Sequence, residues 1–191
     1  MKTIMTLLLF LLFWVVSPAQ ITTTKTDGGT VVTKLGMGIR VNDGSSLARQ
    51  WIILNNEKCP LKLNNSVGIN TVYNGNGYNF VASGGITVDE PISAYEIDFV
   101  LYDIFGEHIK TLDDTEITDM EKSTEFGKHS SWYATENQVS EYLYCVSYVA
   151  KVRTKSGVIW RYDASQIKQE LNKIQIAYEE SYSPSIDKDK K

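Results

Sequence analysis

Five residues within thirteen positions carry the groups from which acid–base or metal chemistry is built. They are Glu96, Asp98, Asp103, Glu107 and His108, in the stretch AYEIDFVLYDIFGEHIKTL at 94–112. Read as a strand, Glu96 and Asp98 share a face about 7 Å apart along the backbone, a spacing compatible with paired-carboxylate hydrolysis. Nothing nearby in sequence supplies an apolar pocket to raise one carboxyl pKa, so no catalytic pair is assigned. The alternation gives another reading: Tyr95, Ile97, Phe99 and Leu101 form a core face, and Glu96, Asp98, Val100 and Tyr102 a mostly polar one. With a reversal at Phe105-Gly106, the expectation is a hairpin with its carboxylates in solvent, and His108 returning within reach of the Glu96/Asp98 face.

Other chemistry-bearing residues are sparse. His129 sits in GKHSSWY beside Ser130 and Ser131, but sequence neighbours on a polar loop do not make a nucleophile–base pair, and no G-x-S-x-G elbow is present. Zinc needs converging His, Cys or carboxylate ligands, and two histidines with two distant cysteines give no paired spacing. Asp113, Asp114, Glu116, Asp119 and Glu121 form an acidic cluster without the Asp/Asn and glycine order of a calcium loop. The glycines of NGNG and ASGG fall at turns among strands, with no helix start to receive a phosphate. The reading is therefore of a chain with no catalytic residue, no metal site and no cofactor. Trp132 and Tyr133, placed in a polar loop, are the candidate ligand-binding residues, because exposed aromatic rings bury large area on contact.

The elements that would position these groups are mostly strands. From residue 35 the hydrophobic period is two: GMGIRV, RQWIILNN, CPLKL after its proline, and the hairpin SVGINTVY-NGNG-YNFVAS, whose Asn-Gly supplies the positive φ of a tight turn. The strands at 94–102 and 107–112 follow. The charged run DDTEITDMEKSTEFGKHSS reads as loop, with at most a short strand near Ile117. SEYLYCVSYVAKVR, 140–153, reads as the longest strand and returns as VIWRY. One helix closes the pattern: Asp163 caps it, Gln166 follows three residues later as in a capping box, and Ile167, Leu171, Ile174 and Tyr178 share one face.

Eight or nine short strands with one terminal helix predict an all-β antiparallel sandwich. Between Arg49 and Tyr162, about two-thirds of the chain, the strand count, the hairpins and the long paired strands near the end resemble an immunoglobulin-like or fibronectin-III-like domain of exported bacterial proteins. The Cys–Trp–Cys order of antibody domains is not met, since Trp51 precedes Cys59, so no disulfide placement or functional residue carries over. Cys59 and Cys145 remain free to pair in an oxidising compartment, closing a loop of about 85 residues. The alternation around Cys145 groups it with Ser147, Lys151 and Arg153 on the wetter face, which does not favour a core-spanning bridge; two separate buried thiols are the alternative.

Residues 1–19 have the parts of a signal peptide: Lys2, an apolar run from Ile4 to Val16, and Ser17-Pro18-Ala19. The run is too short for a membrane span, and no cysteine near Ala19 offers a lipid tether. The expected organisation is signal peptide 1–19, linker or loose first strand 20–34, sandwich 35–162, helical extension 163–180 and disordered tail 181–191. Removing Lys2 leaves 18 basic residues against 23 acidic, a balance that attracts neither nucleic acid nor anionic lipid. The functional expectation is an exported protein-binding or assembly module of periplasm, cell surface or medium, by a protein partner or self-association, with carbohydrate or small-ligand binding as the alternative.

Overall fold

The computed structural model describes residues 21–26, 28–35, 39–40, 46–123, 125–173 and 175–178; the expected signal peptide and tail lie outside them. In chain order the strands are β1 (Ile21–Thr26), β2 (Gly29–Leu35), β3 (Ile39–Arg40), β4 (Ser46–Leu47), β5 (Gln50–Asn56), β6 (Leu61–Leu63), β7 (Gly68–Tyr73), β8 (Tyr78–Val88), β9 (Ile92–Tyr102), β10 (His108–Met120) and β11 (Glu125–Ala134). Helix α1 (Glu136–Glu141), strands β12 (Tyr144–Thr154) and β13 (Ile159–Arg161), and helix α2 (Ala164–Lys173) complete the described elements.

The protein is mostly β, with two facing sheets that do not close into a barrel. The long sheet runs β1-β2-β5-β12-β9-β10, with β13 also on β12; the smaller one runs β11-β8-β6, with β7 also on β8; β3 and β4 pair separately. Within 20–34, expected as linker or loose first strand, Ile21–Thr26 and Gly29–Leu35 pair instead as the β1–β2 hairpin. The close approach of β5 needs a glycine at 29, where a Cβ would come within 1.7 Å of the Asn55 carbonyl oxygen. The antiparallel expectation needs one correction. Tyr144–Tyr148 of β12 run parallel to Gln50–Leu54 of β5, while Lys151–Arg153 pair antiparallel with β13. One edge of β12 is thus shared between two partners, one at each end.

Between the sheets lies the larger core: Ile53, Phe80, Ile86, Tyr95, Ile97, Phe99, Leu101, Tyr142 and Cys145, each at most 2% exposed. A second core fills the other side of the long sheet, where Ile52, Leu54, Val100, Tyr102, Val146 and Tyr148 meet Ile167 and Leu171 of α2 and then Ile176 and Tyr178. Ile174, also expected on that helix face, lies outside the described residues. Asp163 caps α2, its Oδ1 accepting from the Ser165 N–H at 2.9 Å, but Gln166 does not complete a box: its side chain accepts from Asn56 Nδ2 at 2.8 Å.

Two assignments from sequence are overturned. The charged run after Leu112 is not a loop: β10 continues to Met120 and β11 begins at Glu125. Its inward carboxylates are taken up on both sides, Asp114 by the Ser130 hydroxyl of the facing sheet at 2.9 Å and Glu116 by the hydroxyl of its cross-strand neighbour Tyr95 at 2.6 Å. Nor does the last long strand begin at 140. Residues 136–141 are helical, started by a capping box in which Thr135 accepts from the Gln138 N–H and Gln138 from the Thr135 N–H. That turn delivers Tyr142 into the core. Buried Arg49 holds it there, with Nε donating to the Tyr142 carbonyl at 3.0 Å, Nη2 to that of Val139 at 2.9 Å, and Nη1 to Thr71 Oγ1 at 3.1 Å.

Candidate functional site

The five polar residues of 94–112 are dispersed by the fold. Asp103 is a turn residue, its Oδ1 accepting from the N–H groups of Phe105 and Glu107, both at 2.8 Å, while Gly106 takes φ +79°. Glu107 is exposed. His108 lies opposite Tyr102, its Nε2 2.9 Å from Thr111 Oγ1, and burial holds its pKa below the usual value. Glu96 lies opposite Thr115. Six strand residues, about 20 Å, separate the two pairs, so His108 does not reach Glu96.

The core face of β9 is as expected: Tyr95, Ile97, Phe99 and Leu101 all join the intersheet core. The other face is not solvated. Glu96 is 2% exposed and Asp98 0%. Asp98 accepts from the Tyr148 hydroxyl at 3.1 Å, and Tyr178, arriving after α2, sits 3.4 Å from that hydroxyl. Glu96 accepts from Thr115 Oγ1 at 2.9 Å and pairs with Lys151 Nζ at 3.5 Å. The carboxylates are buried because β12 and the C-terminal segment supply partners that lie far off in sequence.

Beyond Asp98 the helix no longer covers the sheet, and Glu96 becomes the floor of a groove. Two rows of cross-strand neighbours form it. Ile117, Ala94, Arg153 and Ile159 make one row, and Thr115, Glu96, Lys151 and Arg161 the next, across β10, β9, β12 and β13. The groove encloses about 140 Å³. Ile117 is 89% exposed and Ile159 51%, and three cations face one carboxylate in a chain of net charge −4. The sequence carried half of this signal. The bulge between Val149 and Lys151 puts Lys151 and Arg153 on the opposite face from Cys145, and strict alternation cannot anticipate a register slip.

The same slip corrects the placement of Cys145, which faces the intersheet core at 0% exposure rather than the wet side. Cys59 and Cys145 are both free and buried. Burial pushes each thiol up to about 12, so both stay protonated and poorly nucleophilic. Near Cys145, Lys34 stacks its ammonium 4.5 Å from the Trp51 ring centre, and burial lowers its pKa to about 8. Trp51 Nε1 donates to the Tyr142 hydroxyl at 2.9 Å, which donates on to the Ile69 carbonyl at 3.1 Å.

Trp132 and Tyr133 are in β11, not in a loop, and they point to opposite faces. Trp132 is partly buried against the intersheet core, its ring 5.9 Å from that of Phe99; Tyr133 is 68% exposed on the outer face. The two rings therefore cannot form one platform. His129 is exposed on the outer side of the same strand. Among the described residues no group of three or more His, Cys, Asp or Glu is placed to hold a metal ion, and no helix is long and apolar enough to cross a membrane.

Comparison with protein-family models and with curated proteins finds no match. Among solved structures, a hypothetical protein from Peptoclostridium difficile 630 is similar at 13% identity and a TM-score of 0.43, over 71% of this chain and 99% of that one.

Proposed function

We propose that the chain is an exported, non-catalytic module with an immunoglobulin-like sandwich, and that it docks a protein partner on the uncovered half of the long sheet's outer face. The observation that carries this reading is the row Ile117–Ala94–Arg153–Ile159, which runs across four strands with both end side chains in solvent. Apolar side chains at the ends of a row on an open sheet face, beside a groove of mixed charge, have the make-up of an interface, apolar contact with charges at the rim. Lys151, Arg153 and Arg161 give this face a local positive balance, so the complementary partner surface is acidic. A buried Glu96 held by Thr115 and Lys151 serves the floor of such a face as a fixed element and needs no reaction to account for it.

The test uses the full chain in its native host, with a photo-crosslinking amino acid at position 117, 159 or 104. Ile104 is 53% exposed but lies in the β9–β10 turn, away from the groove. A discrete adduct of one mass from 117 and 159, absent from 104 and lost in Arg153→Glu/Arg161→Glu, is the expected result. No adduct at 117 and 159, or equal labelling at 104, overturns the reading.

A further inference from the structure

Only two asparagines in the chain precede a glycine, Asn74 and Asn76, and both lie in the NGNG tip of the β7–β8 hairpin. Asn74, Gly75 and Asn76 are exposed. From Leu63 to Val88 the chain has no Asp, Glu, Lys, Arg or His, so a carboxylate formed at the tip is the first charge in the hairpin.

The two asparagines are held differently. Beyond the last strand pair, Tyr73 with Tyr78, the Asn74 N–H donates to the Gly77 carbonyl at 3.1 Å and Asn74 Oδ1 accepts from the Asn76 N–H at 3.1 Å. Gly75, at φ +90°, makes the reversal, and its carbonyl accepts from the Tyr73 hydroxyl at 3.1 Å. Asn74 is thus engaged through backbone and side chain. Among the described residues, the Asn76 side chain makes no hydrogen bond and nothing accepts from the Gly77 N–H. Elsewhere the amides are tied down. Asn55 Oδ1 accepts from the Leu63 N–H at 2.9 Å, Asn56 Nδ2 donates to Gln166 at 2.8 Å, and Asn64 Oδ1 accepts from the Thr87 hydroxyl at 3.0 Å.

We infer that Asn76 is a site of spontaneous deamidation, with water as co-reactant. The deprotonated Gly77 nitrogen attacks Asn76 Cγ. A C–N bond forms there while the Cγ–Nδ2 bond breaks, and the amide leaves as ammonia from a closed succinimide ring. Water then opens the ring, at Cγ to give aspartate or at the backbone carbonyl to give isoaspartate. One water is consumed and one ammonia released, with no change in oxidation state. Glycine permits the attack because no Cβ crowds its nitrogen and its backbone turns freely. At Asn74 the same attack must first break the Oδ1 bond to the Asn76 N–H, so Asn76 reacts ahead of it. Both products put a negative charge on the tip. The isoaspartate route also adds one carbon to the backbone of the turn that sets the register of β7 on β8.

The experiment incubates the full chain in mildly alkaline buffer. Chymotrypsin, cutting after Tyr73 and Tyr78, then releases residues 74–78 for mass spectrometry with electron-transfer fragmentation. The mass of an amide turned to an acid appears at Asn76 about fivefold faster than at Asn74, the factor that one hydrogen bond is worth. The rate rises with pH, because the nucleophile is a deprotonated amide. Asn76→Gln removes this product, and since the side chain is exposed the variant keeps the wild-type circular dichroism spectrum. The free peptide YNGNGY, which lacks the folded turn, converts both asparagines at similar rates. The inference is overturned if neither asparagine converts in the folded chain, if Asn74 converts as fast as Asn76, or if the free peptide shows the same preference.

Discussion

Glu96 shows how far a single residue's fate escapes its neighbourhood in sequence. Alternation made the inward set Tyr95, Ile97, Phe99 and Leu101 readable, because a strand with one apolar face must bury that face. It could not reveal that the other face is covered as well, since the covering groups, Lys151, Tyr148 and Tyr178, enter from 50 or more residues away. A buried carboxylate held by an ammonium becomes costly when one partner is removed. Lys151→Met is therefore expected to destabilise the fold by about 2 kcal/mol, below the figure for fully buried pairs because the Lys151 side chain is 21% exposed. Adding Glu96→Gln to it should recover part of that loss. Urea denaturation of the two single variants and the double variant measures the coupling; a double variant as unstable as the sum of the singles would show that the two groups do not interact.

Among the elements, the hairpins at 66–83 and 94–112 and the closing helix could be read from turn residues and periodicity, and two stretches could not, β10 beyond Leu112 and helix α1. β10 was obscured because its charges alternate with threonine and isoleucine instead of a clear apolar set, and the hydroxyls that receive them come from other strands. Helix α1 did carry a local signal, Thr135-Glu136-Asn137-Gln138, a capping box directly ahead of the apolar strand. The tyrosines and valines that follow masked it. The box has a measurable role: Thr135→Ala should lower stability by about 1 kcal/mol. Because α1 delivers Tyr142 to Trp51 and Arg49, the loss should also alter tryptophan fluorescence of the native state. Unchanged stability and emission in that variant would mean that packing of Val139 and Tyr142, and not the cap, sets the helix.

At the scale of the molecule, the long sheet is asymmetric. One half of its outer face is closed by α2 and residues 176–178, and the other half is left open as the groove. The candidate site became visible at this scale, through cross-strand rows that join residues 94, 117, 153 and 159. The seam between β5 and β12 has a further consequence, a mechanical one. Tension applied at the two chain ends first detaches β1 from β2, β2 from β5 and β13 from β12. It then reaches β5 from the Gln50 end and β12 from the Thr154 end. Because Gln50–Leu54 and Tyr144–Tyr148 run in the same direction, those bonds are loaded together in shear and must fail together. A single molecule drawn at constant speed between its ends should yield first at low force and then at one distinctly higher peak, removed by Ile53→Pro in the middle of the seam. A uniform series of low-force steps in the unsubstituted chain would show that the parallel seam bears no such load.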